Sequence, residues 1–147
     1  MIRKATEKDI EVIAEHNCRM AVETEDLELD KIRVIEGVRN AVLDPSKAVY
    51  YLKEIEGKIA GQLMVTKEWS DWGDGYFWWI QSVYVHRDYR NRGVFSELYR
   101  HVEQLVKDDP GACGIRLYVH ENNGRARKAY SKQGMNETAY LLYEMEK

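Results

Sequence analysis

Residues 90–96, with the sequence Arg-Asn-Arg-Gly-Val-Phe-Ser, have the composition of an anion-binding turn. They follow an apolar run at positions 76–85, rich in aromatic and β-branched residues, which predicts a buried strand. They precede apolar residues at helical spacing. Free N–H groups at a helix start favour a bound anion, Gly93 permits close backbone approach, and the arginines add positive charge. The segment therefore predicts a pyrophosphate cradle, with an ordinary turn and solvated arginines as the alternative.

A second set of residues begins about 30 positions later, with Asn123, Ala126 and Tyr130 separated by three and four positions. Residues 123–133 predict a helix, because Asn123 is a suitable N-cap and Gly134 a suitable C-terminal stop. A strand is predicted just before it, at 115–119. Taken alone, Tyr130 is equally well explained as a half-buried helix tyrosine.

The elements that position these two sets follow from periodicity and turn signals. Strands are also predicted at 2–5, 48–56, 58–67 and 139–145, with a hairpin turn at 56–57 and a loop at 69–75. A first helix begins at the capping-box sequence Thr6 to Asp9, and a second covers 29–43. The helix after the Arg/Gly turn ends near residue 109. The order β α α β β β α β α β predicts one mixed sheet flanked by helices.

Composition and charge exclude several classes of protein. The 147 residues fit one domain over 1–147, and 44% hydrophobic with 32% charged residues is ordinary for a soluble protein. A net charge of −3 argues against nucleic acid or an anionic membrane as partner. Neither a membrane-length apolar run nor a signal-peptide core is present, so we expect a cytoplasmic location. Cys18 and Cys113 form no metal-ligand pattern, and no metal is expected.

Together, the two sets resemble the GCN5-related N-acetyltransferase (GNAT) superfamily. That family has Arg/Gln-x-x-Gly-x-Gly/Ala at its pyrophosphate loop, and Arg90, Gly93 and Phe95 occupy these positions. It also has Asn-x-x-Ala-x-x-x-Tyr on a later helix, which residues 123–130 match, and Gly134-Met135 stands where the family has Gly-Phe. The departure is Phe95, a large residue at a position that is usually small. It puts the fit of the loop in question, but backbone N–H groups supply the phosphate contacts.

The resemblance implies a fold and an activity. The fold is of the α/β (α+β mixed) class: an acetyl-CoA N-acyltransferase-like fold with a single mixed, mostly antiparallel sheet, flanking helices and splayed central strands. The activity is transfer of an acetyl group from acetyl-CoA, the co-substrate, to a primary amine by direct attack in a ternary complex. Tyr130 matches the family's acid, which assists the leaving sulfur. The residues that the resemblance implies for binding acetyl-CoA are Val83, Tyr84, Val85, Arg90, Asn91, Arg92, Gly93, Val94, Phe95, Ser96 and Asn123.

The general base and the acceptor stay open at this point. Some branches of the family carry a glutamate on the strand before the loop, whereas residues 76–85 contain no Asp or Glu. The remaining candidates are Glu23, Glu25, His120 and Glu121, or a water relay. The acidic residues between positions 23 and 30 would attract a cationic amine. They are equally well explained as the acidic start of the second helix.

Two other classes of function compete with the enzyme. A catalytically weak acyl-CoA-binding sensor or interaction module would keep the fold, and the missing strand carboxylate and Phe95 favour it slightly. A nucleotide- or nucleic-acid-binding domain is less favoured, because the chain is acidic and lacks a Walker lysine pattern. The expected partner is an amine of a small molecule or a peptide, without nucleic acid or membrane, and a homodimer is allowed.

Overall fold

One five-stranded sheet organises the computed structural model, which describes residues 1–147. Its order follows the chain, and all neighbours are antiparallel except the last pair, which is parallel. The strands are β1 (Ile2–Lys4), β2 (Val49–Ile55), β3 (Lys58–Ser70), β4 (Gly75–Val85) and β5 (Ala112–Arg116). The helices are α1 (Ile10–Glu25), α2 (Lys31–Leu43), α3 (Val94–Asp108) and α4 (Gly124–Lys132), with short 3-10 turns at Glu7–Asp9 and Arg87–Tyr89. The predicted mixed sheet with flanking helices is confirmed.

The helices cover the two faces of the sheet because successive strand residues point to opposite sides. On one face, Ile13 of α1 and Val38 of α2 pack with Leu52 of β2. On the other face, Leu98 of α3 packs with Leu63 of β3. Each such fully buried side chain contributes roughly 1.5–3 kcal/mol of transfer free energy. Both faces of the sheet are therefore covered by helices.

The central strands separate where β4 continues past β5. The parallel pairing runs from Tyr76↔Ala112 to Trp79↔Arg116, and β4 then extends to Val85 without that neighbour. Here β4 also contains a bulge, because the register with β3 shifts between Gln62 and Met64. The expected splayed strands are present, and a gap opens beside the second half of β4.

Two strand predictions are wrong. The strand predicted at 115–119 lies instead at Ala112–Arg116, and no strand forms at 139–145. The last segment is rich in strand-forming residues, but strand formation also needs a hydrogen-bonding neighbour, and residues 139–147 have no ladder partner. The predicted loop at 69–75 is shorter than expected, because β3 reaches Ser70 and β4 begins at Gly75.

Local capping signals are reproduced at the helix starts. Thr6 and Asp9 form the predicted capping box before α1, and Asp30 caps α2 by accepting from the N–H groups of Ile32 and Arg33. Of the two interpretations of the acidic residues, attraction of a cationic amine and the acidic start of the second helix, the structure gives Asp30 the second. None of the helices combines the length and the apolar character needed to cross a membrane.

Candidate active site

A cavity of about 1400 Å³ lies in the gap beside β4. The end of α1, the second half of β4, the start of α3, residues 118–120 and α4 line it. The structure brings eleven of the twelve predicted site residues to this cavity: Val83, Tyr84, Val85, Arg90, Asn91, Gly93, Val94, Phe95, Ser96, Asn123 and Tyr130. Arg92 is the exception, because it does not line the cavity and its guanidinium lies over the ring of Tyr89 at 5.6 Å. The cation of Arg92 is therefore directed to an aromatic ring rather than to the predicted cradle.

The start of α3 is built for close approach. Gly93 adopts a left-handed conformation with φ of 74°, and a Cβ added there would meet no atom within 4 Å. Asn91 is also left-handed, with φ of 63°. No side chain caps the first N–H groups of α3. The N–H groups at this helix start are thus available to an anion in the cavity.

Arg90 holds the turn in place. Its Nε donates to the Val85 carbonyl at 2.9 Å, and a terminal nitrogen pairs with a Glu23 carboxylate oxygen at 2.7 Å. The hydroxyl of Tyr84 donates to the other Glu23 oxygen at 3.2 Å. Glu23 therefore links α1 to the turn before α3 through both of its carboxylate oxygens. As a candidate general base it is already engaged by Arg90 and Tyr84. Of the other base candidates, Glu25 and His120 line the cavity and Glu121 does not.

Tyr130 lines the cavity and carries a hydroxyl that stays protonated at neutral pH. Burial raises the pKa of Tyr130 to about 12, and no protein group hydrogen-bonds its hydroxyl. Its ring packs edge-on against Phe95, with centroids 5.4 Å apart. Phe95 thus supports Tyr130, which gives this large residue a packing role at the usually small motif position. The hydroxyl is free to donate to a ligand.

Several lining residues were not predicted from the sequence. Gln133 donates to the Ser96 hydroxyl at 2.8 Å and so joins α4 to the first turn of α3. Its spacing of three residues from Tyr130, on one helical face, is the signal that the sequence offered. Arg125 and Lys132 add positive charge to the lining. The cationic side chains of Arg125 and Lys132 and the start of α3 therefore lie around the same cavity.

Comparison with known proteins decides the family. Residues 10–135 match the model of the acetyltransferase (GNAT) family. The chain belongs to the acetyltransferase (GNAT) family. The activity of that family is acetyl-CoA-dependent acetyl transfer, so this protein is an acetyltransferase. No group of three or more His, Cys, Asp or Glu side chains that could hold a metal ion is found in it.

Solved structures agree with this assignment. A "possible acetyltransferase" from Clostridium difficile 630 is 40% identical, with a TM-score of 0.93, over 99% of this chain and 96% of that one. A predicted acetyltransferase with acetyl-CoA from Clostridium acetobutylicum is 18% identical, with a TM-score of 0.80, over 99% and 95% of the two chains. An aminoglycoside acetyltransferase from an uncultured soil metagenomic sample, in complex with sisomicin, is 16% identical, with a TM-score of 0.76, over 100% and 96%. Comparison with curated proteins gave no significant match.

A buried polar network lies beneath the β4 bulge of this acetyltransferase. Gln62 of β3 donates from Nε2 to the Ser82 carbonyl at 3.3 Å and to Asn17 Oδ1 at 2.8 Å. Its Oε1 lies 3.1 Å from His16 Nδ1, and Asn17 in turn donates to the Tyr50 hydroxyl at 3.4 Å. Because Gln62 Oε1 can only accept, His16 carries its proton on Nδ1. Each of these hydrogen bonds then has one donor and one acceptor.

The network fixes the orientation of one peptide unit at the cavity. Ser82 is left-handed, with φ of 51°, and its carbonyl is directed to Gln62. In a planar trans peptide the following N–H points opposite to the carbonyl, so the Val83 N–H points away from Gln62. Ser82 and Val83 both line the cavity. At the bulge, the Ser82 carbonyl is therefore bound by Gln62 in the interior, and the Val83 N–H points to the side opposite Gln62.

We expect His16 to make the stability of the fold sensitive to mild acid. Burial lowers the pKa of the His16 imidazole, so the unfolded chain binds a proton before the folded chain does. The stabilisation is present above the unfolded pKa of about 6.5 and is lost as the pH falls below it, by at most about 1.4 kcal/mol per pH unit. Urea unfolding at pH 7.5 and 5.5 measures this loss. His16→Gln keeps a donor for Gln62 without titrating, and an equal loss in that variant would contradict the assignment.

Proposed function

We propose that this acetyltransferase transfers the acetyl group of acetyl-CoA to a primary amine of a small molecule or a peptide, by direct attack in a ternary complex. One observation carries the proposal. The uncapped start of α3 at Gly93 and Tyr130, whose hydroxyl keeps its proton at neutral pH, line the same cavity. We further propose that residues 1–147 act as one acetyltransferase domain, in the cytoplasm, and as a homodimer.

The residues present fit acetyl-CoA as co-substrate. The N–H groups of Val94, Phe95 and Ser96 are the donors for its pyrophosphate, because no side chain caps this helix start. The edge of β4 at 83–85 lies beyond the pairing with β5, so it is available to an extended amide chain such as the pantetheine arm. Asn123 lines the same cavity, although its Oδ1 already accepts from the Ala126 N–H at 3.2 Å.

Acetyl-CoA supplies a thioester, whose acyl carbon is the target of the amine and whose sulfur leaves. In the proposal, the Val83 N–H donates to the thioester oxygen and the Tyr130 hydroxyl donates to the sulfur. A lysine-like amine has a pKa of about 10.4 and must lose a proton before it attacks. Glu25 and His120 line the cavity and are the proposed acceptors of that proton, directly or through water.

The acidic end of α1 supports a cationic acceptor. Glu25 lines the cavity and has no ion-pair partner, unlike Glu23, which is paired with Arg90. An unpaired carboxylate at the mouth of a cleft attracts positive charge. A protein of this fold is described as an aminoglycoside acetyltransferase in complex with sisomicin, which agrees with an amine acceptor.

We expect Glu25→Gln to raise the KM for a cationic amine roughly two- to fivefold, as befits one exposed charge. The KM for a neutral amine should stay constant, and the effect should shrink with added salt. Steady-state rates for one cationic and one neutral acceptor at two salt concentrations measure this. Glu25→Asp, which keeps the charge, is the matched control. An equal rise in KM for both acceptors would contradict the electrostatic role and assign Glu25 to packing.

We expect Gln62→Met to lower kcat about tenfold with little change in the KM for acetyl-CoA. The substitution keeps the volume but removes the donor that holds the Ser82 carbonyl, so the Val83 N–H loses its fixed direction toward the thioester oxygen. The infrared carbonyl stretch of bound ¹³C-acetyl-CoA should shift back toward its value in water. Tyr50→Phe is the control, because it removes only the far end of the network. Unchanged kcat and stretch in a folded Gln62→Met variant would contradict the role.

An acceptor panel tests the proposed function. Release of free CoA thiol is followed with primary amines, with matched alcohols and without acceptor, and acetylated products are identified by mass spectrometry. We expect turnover with at least one amine, with one acetylated amine formed for each CoA released. Acetyl-CoA binding without turnover on any amine would instead support the sensor or interaction module. Acetylated alcohols without acetylated amines would overturn the amine as acceptor.

A further inference from the structure

The two halves of the proposed acetyl-CoA site belong to different elements, and a short connection joins them. β4 ends at Val85 and α3 begins at Val94. In the first part of the connection, the N–H groups of His86 and Tyr89 donate to main-chain carbonyls. Residues 90–92 make no hydrogen bond between main-chain groups. The last part of the connection is therefore held by side chains rather than by the main chain.

Arg90 is the residue of this last part whose side chain reaches the neighbouring elements. Its Nε donates to the Val85 carbonyl at 2.9 Å, and its guanidinium carbon lies 5.5 Å from the centre of the Tyr84 ring. A terminal nitrogen donates to Glu23 at 2.7 Å. Only 24% of the Arg90 side chain is exposed, so the guanidinium is held between β4 and α1 rather than in solvent.

Glu23 fixes this guanidinium from the side of α1. Its other carboxylate oxygen accepts from the Tyr84 hydroxyl at 3.2 Å, so one carboxylate bridges Tyr84 and Arg90. Tyr84 is buried on β4, and burial together with the charge of Glu23 raises its pKa, so its hydroxyl remains a donor. Glu23 lies in the last turn of α1, which packs on the sheet through Ile13. The bridge therefore joins α1, β4 and the connection to α3.

We propose that Glu23 is a positioning residue of the acetyl-CoA site. By holding the Arg90 guanidinium against β4, it fixes the distance between the β4 edge, where the pantetheine arm pairs, and the start of α3, where the pyrophosphate binds. This inference rests on the proposed function, because it treats the two as parts of one co-substrate site. Two contacts to one ligand reinforce each other only when both can be made at the same time. Glu23 thus acts on acetyl-CoA through Arg90.

The sign of the effect separates positioning from simple electrostatics. Acetyl-CoA is an anion, and Glu23 lines its cavity with a negative charge. If charge alone mattered, removal of that carboxylate would strengthen acetyl-CoA binding. If Glu23 positions the turn, its removal weakens binding although a repulsive charge has gone. A residue needed only for folding would change the affinities for all ligands of the site alike.

Titration calorimetry with acetyl-CoA and with S-acetylpantetheine, which lacks the pyrophosphate, tests this proposal. Glu23→Met keeps the length of the side chain and a good helix former but removes both acceptor oxygens. We expect its Kd for acetyl-CoA to rise about fivefold, the upper range for one partly exposed ion pair. The Kd for S-acetylpantetheine should stay within about twofold of that of the wild type, because this ligand makes only one of the two contacts.

Glu15→Met is the matched control. Glu15 also lies on α1, its side chain is also 40% exposed, and it pairs with Arg19 and Lys31 away from the cavity. The control removes the same charge and should leave both Kd values unchanged. The Arg90→Met background tests the route of the effect. There Glu23→Met should no longer change the ratio of the two Kd values, because its partner is already absent.

Four results would overturn the positioning role. They are acetyl-CoA binding by Glu23→Met as tight as that of the wild type or tighter, equal losses for both ligands, an equal loss in Glu15→Met, and an undiminished effect in the Arg90→Met background. Absence of acetyl-CoA binding to the wild type is a different result. It would overturn the proposed function, and this inference with it.

Discussion

Gly93→Glu is expected to reduce the affinity for acetyl-CoA at least a hundredfold, which corresponds to about 2.7 kcal/mol. Gly93 is left-handed and its Cβ position is open, so the new side chain is strained and extends into free space beside the cavity. A carboxylate at the start of α3 would repel the pyrophosphate and compete for its N–H donors. Titration calorimetry with acetyl-CoA measures the loss.

The β2–β3 turn offers a closely matched control for this substitution. Gly57 has φ of 75° and, like Gly93, no atom within 4 Å of an added Cβ. It does not line the cavity. Gly57→Glu therefore adds the same strain and the same charge away from the cradle, and its affinity for acetyl-CoA should match that of the wild type. If both variants lose affinity equally, the loss comes from the fold and the pyrophosphate cradle is not at Gly93.

Tyr130→Phe is expected to lower kcat ten- to a thousandfold, or about 1.4 to 4 kcal/mol, with little effect on acetyl-CoA affinity. The substitution keeps the ring that packs on Phe95 and removes only the hydroxyl. Because burial raises the pKa of Tyr130 to about 12, the hydroxyl keeps its proton throughout the range in which the enzyme is assayed. A fall in the rate between pH 7 and 10 should therefore not come from Tyr130.

A second tyrosine near Phe95 provides a control that distinguishes a catalytic hydroxyl from one that only belongs to a packed ring. Tyr99 is buried and its ring lies 6.0 Å from that of Phe95, but it does not line the cavity. Tyr99→Phe should therefore keep kcat close to that of the wild type. Single-turnover rates, in which chemistry rather than product release is followed, are the measurement for both variants. Equal rates for wild type and Tyr130→Phe would make Tyr130 a structural residue.

Local signals explain what could be predicted from the sequence. The start of α3 depends on Gly93 and the residues next to it, and the cap of α4 depends on Asn123 and Ala126, three positions apart. Contacts of this kind leave a pattern in consecutive residues. The pairing of β2 with β3 follows from a similar short-range signal, the predicted hairpin turn at 56–57. The predicted cavity residues at 90–96 and 123–130 belong to these same two helix starts.

Contacts between distant residues explain what was missed. Glu23 and Arg90 are 67 positions apart, and Gln62 lies 46 positions from His16, so neither pair follows from spacing. The sequence shows Gln62 only as one polar residue in an apolar strand, without its partner. The C-terminal segment fails for another reason. Its residues favour a strand, but a strand also needs a hydrogen-bonding neighbour, and the local pattern does not show whether one is present.

Titration of the wild type with acetyl-CoA and with S-acetylpantetheine tests the central claim most directly. The two share the thioester and the pantetheine arm, whereas only acetyl-CoA carries the 3′-phosphoadenosine diphosphate that contains the pyrophosphate. We predict saturable binding of one acetyl-CoA per chain, and at least tenfold weaker binding of S-acetylpantetheine. Absence of acetyl-CoA binding at millimolar concentration, or equal affinity for the two compounds, would contradict an acetyl-CoA site with its pyrophosphate at the start of α3.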